Sequence, residues 1–312
     1  MHKQKQTETP AAARAVLAFS HVSKSFGDKT VVEDMGLSVR QGEIFGFLGP
    51  NGAGKTTTIK MLLDILRPTS GTIELFGTTN RLTAATHRRL GYLSGDMVLD
   101  DDLTGRQYLA FVGNLYGGGY ESRQQELAGR LQADLDVKIG NYSRGNKQKI
   151  GLIAALMHQP ELLILDEPSS GFDPLVQEIF IQLVQEYRQA GGTVFISSHV
   201  LGEVQRLCDR VAFIRAGQIV GVVDVDELNN NTAKQVHAVA TQAEIAKLVR
   251  HAGTLPGLVV QESSARRAAF AYSGPIKALL KFFAAYSLDD MTIREPDLEE
   301  IFMTYYTKDT PR

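Results

Sequence analysis

The chain has 312 residues, 43% of them apolar and 22% charged, enough apolar material for one large domain or two ordinary ones with packed cores. Its formal net charge of -2 lacks the basic excess of a nucleic-acid-binding protein, so no nucleic acid is expected as a partner. The single cysteine, Cys208, excludes an internal disulfide, and no apolar run approaches the roughly 20 residues of a membrane-spanning helix. Any membrane role must pass through a partner.

Residues 1–14 are polar and Ala-rich and are expected to form a disordered tail without the apolar core of a signal peptide. From Val16 the pattern is strand-like, with a turn at Gly27-Asp28. Ile44 to Leu48 is a short apolar run read as a buried strand, and the helix after Thr57 places Ile59, Leu62, Leu63 and Leu66 on one face, ending at Arg67-Pro68. Residues of about 80–142 are rich in helix formers and include Gly117-Gly118-Gly119; they read as a helical insertion. Asn146 to Gln159 is amphipathic, and Leu162–Leu165 and Thr193–Ser197 are further strands. Strands alternating with helices predict a mainly parallel sheet over a first domain of 15–228. Asn229-Asn230-Asn231 marks a boundary. Beyond it, strand 237–241, helix 243–251, strand pair 258–272, helix 275–286, strand 290–294 and helix 297–306 predict a small α+β domain, 229–312, of the split βαβ kind.

Gly49-Pro50-Asn51-Gly52-Ala53-Gly54-Lys55-Thr56, followed by Thr57, matches G-x-x-x-x-G-K-[ST] between a predicted strand and a predicted helix. Such glycines let successive backbone N–H groups point into one cavity, and a side chain at Gly52 or Gly54 is expected to obstruct a phosphate. The helix N-terminus adds roughly half a positive charge. Lys55 is then placed for the β- and γ-phosphates, and the Thr56 hydroxyl for Mg²⁺. Downstream, the strand Leu162–Leu165 delivers Asp166 to the Mg²⁺ shell and Glu167 to a water as general base. A solvated acidic pair after a core strand is the bland alternative, and the phosphate loop upstream outweighs it.

With these segments in this order, residues 16–225 resemble the ATP-binding subunits of ABC transporters. Tyr142-Ser143-Arg144-Gly145-Asn146 resembles the signature motif, Ser170-Gly171-Phe172-Asp173-Pro174 the D-loop, and Ser197-Ser198-His199 the switch-histidine region. Phe26 takes the place of the aromatic that stacks on adenine. The resemblance implies an α/β P-loop NTPase fold of ABC type, with a mainly parallel sheet core, an antiparallel β subdomain and a helical insertion. It implies ATP and Mg²⁺ as cofactors and a homodimer or pseudo-dimer with ATP sandwiched between subunits. Ser143, Gly145 and Asn146 would meet the partner's ATP, Asp173 would belong to the dimer's nucleotide site, and His199 would contact the γ-phosphate. Ser143 also reads as an ordinary N-cap of the helix starting near Asn146, and the two roles are compatible.

Two departures stand out. The signature reads Tyr-Ser-Arg-Gly-Asn where the family has Leu-Ser-Gly-Gly-Gln. Gly95 occupies the Q-loop glutamine position, leaving Asp96 as the nearest side chain for the Mg²⁺ shell. The Gly-acid variant resembles some bacterial exporter subunits. The implied role is an ATP-hydrolysing motor at the cytoplasmic face of the membrane, paired with an integral membrane permease that docks near Asp100-Asp101-Asp102-Leu103-Thr104, Tyr108, Phe111 and Tyr116. The acidic run has a second reading as a solvated N-cap, and part of the aromatic set is expected to pack the insertion's own core. A soluble ABC ATPase is the alternative, but one phosphate loop, one signature and no sustained heptads fit it less well. A GTPase is set aside, because Asn146-Lys147-Gln148-Lys149 does not satisfy the guanine code.

Overall fold

A computed structural model describes residues 14–79, 83–225 and 233–294. The tail up to residue 13, the Asn229–Asn231 boundary and the helix expected at 297–306 lie outside the described residues. The chain divides into two compact units, Met1–Val222 and Val223–Arg312.

The first unit begins with two long antiparallel strands, β1 (Ala15–Phe26) and β2 (Lys29–Arg40), paired from Ala15 with Arg40 to Phe26 with Lys29. In β2, Met35, Leu37 and Val39 are buried while Gly36, Ser38 and Arg40 are exposed, the period-2 alternation of a sheet with one wet face. β3 (Ile44–Leu48) is buried at every residue, as expected of a parallel strand covered on both sides. α1 (Lys55–Leu62) follows the glycine-rich loop. It ends earlier than the periodicity predicts: Asp64 turns left-handed at φ +56°, and the N–H groups of Ile65 and Leu66 both return to the Lys60 carbonyl. β4 (Ser70–Leu75) and β5 (Thr78–Thr79) complete a four-stranded antiparallel sheet, β2-β1-β4-β5.

The segment read as a helical insertion is only partly helical. After the short α2 (Ala84–Arg88), the run Leu90–Leu93 forms β6, which pairs in parallel with a core strand. Four residues are too few for helix and strand periods to be told apart. A Cβ on Gly91 would lie 2.2 Å from the Ala155 carbonyl, so a glycine is what lets this strand approach the helix behind it. The helical layer proper is α3 (Gly105–Leu115), α4 (Glu121–Leu131) and α5 (Arg144–Leu156); α3 and α4 both pack on α5, and the three bury Leu109, Leu127, Leu131 and Ile150. Thr104 caps α3 in a reciprocal box with Gln107. The acidic run before it is therefore not the cap: Asp101 pairs with Lys147 at 2.7 Å.

β7 (Leu162–Asp166), α6 (Pro174–Gln189), β8 (Thr193–Ser198), α7 (Leu201–Leu207), β9 (Arg210–Arg215) and β10 (Gln218–Asp224) follow. The six-stranded order is β10-β9-β3-β8-β7-β6, with β3, β6, β7, β8 and β9 parallel. Leu48 stands opposite Ser198 and Asp166 opposite Ser197, so the glycine-rich loop, the acidic pair and the histidine turn all leave the same sheet edge.

The second unit is β11 (Lys234–Ala240), α8 (Gln242–His251), β12 (Leu258–Ser263), β13 (Arg267–Tyr272), α9 (Ile276–Phe283) and β14 (Leu288–Arg294). Its sheet is antiparallel throughout, in the order β12-β13-β11-β14, which is the split βαβ arrangement. Val236, Leu248, Phe270, Leu279 and Phe283 form its core.

The candidate nucleotide site

The loop from Gly49 to Gly54 keeps its shape through backbone constraints. Ala53 N–H closes a turn on the Pro50 carbonyl at 3.2 Å, and the Ala53 carbonyl accepts from Gly217 N–H at 3.0 Å. Gly54 has φ +107° and lies so near the Val31 carbonyl that a Cβ would come within 2.9 Å of it. Gly52 has no protein atom within 4 Å of a hypothetical Cβ, so its φ of +80° is what demands glycine there. A side chain at Gly54 would thus meet the protein itself, whereas one at Gly52 would point into open space.

Lys55, only 6% exposed, donates from Nζ to the Gly49 carbonyl at 2.6 Å and the Pro50 carbonyl at 3.3 Å. Its ammonium also lies 3.1 Å from Glu167 Oε1, an ion pair without hydrogen-bond angles. Thr56 Oγ1 donates to Asp166 Oδ2 at 3.0 Å, and Ser197 Oγ to Asp166 Oδ1 at 2.5 Å. Both oxygens of a carboxylate that is 2% exposed are therefore satisfied, which is what keeps its charge tolerable inside the protein. One residue on, Glu167 sits in the left-handed region at φ +49°, held by its N–H on the Ser197 carbonyl at 3.1 Å. His199 Nδ1–H donates to Glu167 Oε2 at 2.6 Å. Glu167 Oε1 is buried without a hydrogen-bond donor.

Lys55, Thr56, Asp166, Glu167 and His199 line one cavity of about 540 Å³, together with Asn51 and Asp96. Gly95 packs against the Asp166 backbone, where a Cβ would stand 3.0 Å from the carbonyl oxygen, so a larger residue would press this loop away from the strand end. The acid of the loop comes from the next position.

Other predicted residues stand apart from the cavity lining. Phe26 ends β1 and is 49% exposed, with the Lys24 ammonium 4.9 Å from its ring centroid. Ser143 caps α5 by accepting from Asn146 N–H at 3.3 Å, and Gly145 lies against the Gly171 carbonyl. Asp173 caps α6 by accepting from Val176 N–H at 2.9 Å. Sequence reasoning assigned no role to Lys60 and Arg144, which line the cavity, to Ser197 behind Asp166, or to Glu203, whose carboxyl is raised by burial and stabilised as the anion by hydrogen bonds from Ser169 and Ser198. Ser197 was signalled by a polar residue inside a fully buried strand.

A strand-loop-helix phosphate cradle on β3, with carboxylates at the end of the parallel strand β7 one strand further along, across β8, defines a P-loop nucleoside triphosphatase fold. Comparison with known proteins narrows the class. The model of the family described as "ABC transporter" matches residues 32–170. The bacitracin transport ATP-binding protein BcrA of Enterococcus faecalis is 34% identical, over 94% of this chain and 96% of the relative. The linearmycin resistance ATP-binding protein LnrL of Bacillus subtilis (strain 168) is 31% identical, over 92% of this chain and 97% of the relative. A solved ATP-binding subunit of an ABC transporter superposes with a TM-score of 0.64 at 29% identity, covering 69% of this chain and 92% of that one. The chain belongs to the ABC transporter ATP-binding family. It is an ATP hydrolase that serves as the motor subunit of a transporter. Among the described residues no helix is long and apolar enough to cross a membrane.

Proposed function

We propose that the cavity binds ATP with Mg²⁺ and hydrolyses it to drive export of an antibiotic-like compound through a separate integral membrane permease. The observation that carries the catalytic part is Glu167. One of its carboxylate oxygens is fixed by His199, and the other faces the Lys55 ammonium at 3.1 Å without a hydrogen bond, so transfer of the lysine to a phosphate leaves that oxygen to accept a water proton. Lys55 and the loop N–H groups bind the terminal phosphates; a phosphate oxygen replaces Glu167 as the lysine's counter-charge. His199 orients the base and reaches the γ-phosphate. The Thr56 hydroxyl, the Asp166 carboxylate and Asp96 form a hard oxygen donor set, and one or two carboxylates beside phosphate oxygens are the usual holding group for Mg²⁺. When bound, Mg²⁺ neutralises charge on the β- and γ-phosphate oxygens.

Phe26 would stack on adenine, and Ser143, Gly145, Asn146 and Asp173 would complete the site of a second copy in an ATP-sandwiched homodimer or pseudo-dimer. Their capping bonds are compatible with that role, because a helix N-terminus has further N–H groups to offer an anion. For the permease, α3 presents Phe111 and Leu115, 58% and 63% exposed and one helical turn apart. Tyr116, expected on the same surface, instead stacks on His158 at 3.8 Å. The relatives' roles in bacitracin transport and linearmycin resistance support export; a motor that draws on cellular ATP would sit at the cytoplasmic face of the membrane.

The test is transport. With its permease co-expressed, inside-out vesicles should accumulate a bacitracin-class peptide antibiotic on addition of ATP and Mg²⁺, and vesicles carrying Lys55→Ala should not. Equal accumulation by both would refute the proposal.

A further inference from the structure

The site contains a tie that none of the assigned roles uses. Glu203 lies in the first turn of α7, four residues after His199. Its Oε2 accepts from Ser169 Oγ at 2.9 Å and from Ser198 Oγ at 3.2 Å. The two serines belong to different loops. Ser169 lies two residues beyond Glu167, in a run of tight turns in which Ser170 N–H returns to the Glu167 carbonyl at 3.3 Å and Phe172 N–H to the Ser169 carbonyl at 3.0 Å. Ser198 ends β8 next to His199, is 1% exposed, and also accepts from Val200 N–H at 3.0 Å, which folds the histidine turn.

A single carboxylate oxygen receiving two hydroxyl donors is a charge-assisted junction, stronger than a neutral pair of the same geometry. It spans the two backbone segments whose separation sets the contact between Glu167 and His199. Glu167 needs such support. A non-glycine residue at φ +49° is strained, and such conformations persist only where the surroundings over-determine them.

We propose that Glu203 is a positioning residue for ATP hydrolysis: it locks the loop that follows Glu167 to the turn that carries His199, so that the two side chains keep their 2.6 Å contact. The inference rests on the reading of Glu167 as the general base. Glu203 touches neither phosphate nor water in this scheme. It acts by holding two reacting-site loops as one body, and misplacement of a base by about an ångström costs up to 10²-fold in rate.

The experiment measures Mg²⁺-dependent ATP hydrolysis by the full-length chain carrying Glu203→Ala, Glu203→Gln, Glu167→Gln, or Glu167→Gln with Glu203→Ala. Glu203→Ala should lower kcat about ten-fold or more while KM for ATP stays within about two-fold. Glu203→Gln should retain most of the parent rate, because its amide oxygen still accepts from both hydroxyls. Adding Glu203→Ala to Glu167→Gln should lower the residual turnover no further, since the two act as a unit. Parent-like kcat in Glu203→Ala would overturn the proposal. So would a loss multiplied onto that of Glu167→Gln, or a parallel fall in kcat, ATP affinity and Tm that marks a merely structural role. If Glu203→Ala does not fold, Ser169→Ala and Ser198→Ala each remove one donor and should each lower kcat with KM unchanged; parent-like kcat in both overturns it equally. Parent-like turnover in Glu167→Gln is a separate failure, that of the base assignment on which the proposal rests.

Discussion

Along one edge of the first unit's parallel sheet, Lys55, Asp166, Ser197 and Ser198 are buried, whereas among its described residues the second unit buries no charged or amide side chain and closes its core with Phe270, Tyr272, Leu279 and Phe283. The difference shows what each sheet is for. The first keeps ionised groups out of water and must give each a partner: Asp166 has Thr56 and Ser197, and Glu167 has Lys55 and His199. The second is organised chiefly by apolar contact, as in the edge-to-face pair of Phe270 and Phe283 at 5.5 Å, with the Tyr272 hydroxyl donating to the Pro275 carbonyl at 3.1 Å. Changes at the first edge should therefore move chemistry, and changes in the second core should move stability without moving chemistry.

The largest expected effect on stability is Phe270→Ala. Emptying this fully buried ring position should cost the second unit about 3–5 kcal/mol, read as the opening free energy of hydrogen exchange across Lys234–Ala240, while kcat for ATP stays at the parent value. A fall in kcat would break the separation of roles. Next comes Ser197→Ala, which strips a donor from the buried Asp166 carboxylate. It should cost about 1.5–3 kcal/mol in urea unfolding of the first unit and lower Mg²⁺-dependent turnover as well. Stability lost without turnover lost would place Ser197 outside the chemistry. Asp173→Ala removes the α6 cap and should cost about 1 kcal/mol, with Asp173→Asn nearly neutral, measured by thermal unfolding. The smallest effect concerns His158, whose pKa is lowered chiefly by burial. Its contribution is complete above about pH 6.5, the ordinary imidazole value, and is lost as pH falls through the lower folded value. In His158→Gln, stability should depend less on pH over that acid range, checked by urea unfolding at each pH.

The sequence made the phosphate loop and the acidic pair readable because each is a contiguous segment whose neighbours, a buried strand and a helix, are readable too. β6 was not, since Leu90–Leu93 offers four residues and no period, and its strand character comes from pairing with β7. Ser143 and Asp173 show a different limit. Short polar residues that cap helices are also the residues that meet phosphates, and the sequence does not separate the two uses; the structure shows the cap in both cases. The order of the second unit's elements was visible from alternating strand and helix patterns, because its core obeys simple periodicity. Glu203 was invisible for the opposite reason. One of its two partners lies 34 residues away in sequence and is brought to it only by the register of β7 beside β8.

In the function proposed above, the first sheet edge hydrolyses ATP with Glu167 as the base. The direct measurement is steady-state ATP hydrolysis by the full chain carrying Glu167→Gln, alongside its ATP affinity and sedimentation. The kcat should fall about 10²–10⁴-fold, worth roughly 3–5 kcal/mol of barrier, with ATP still bound and an ATP-loaded dimer accumulating. Hydrolysis at the parent rate would contradict it.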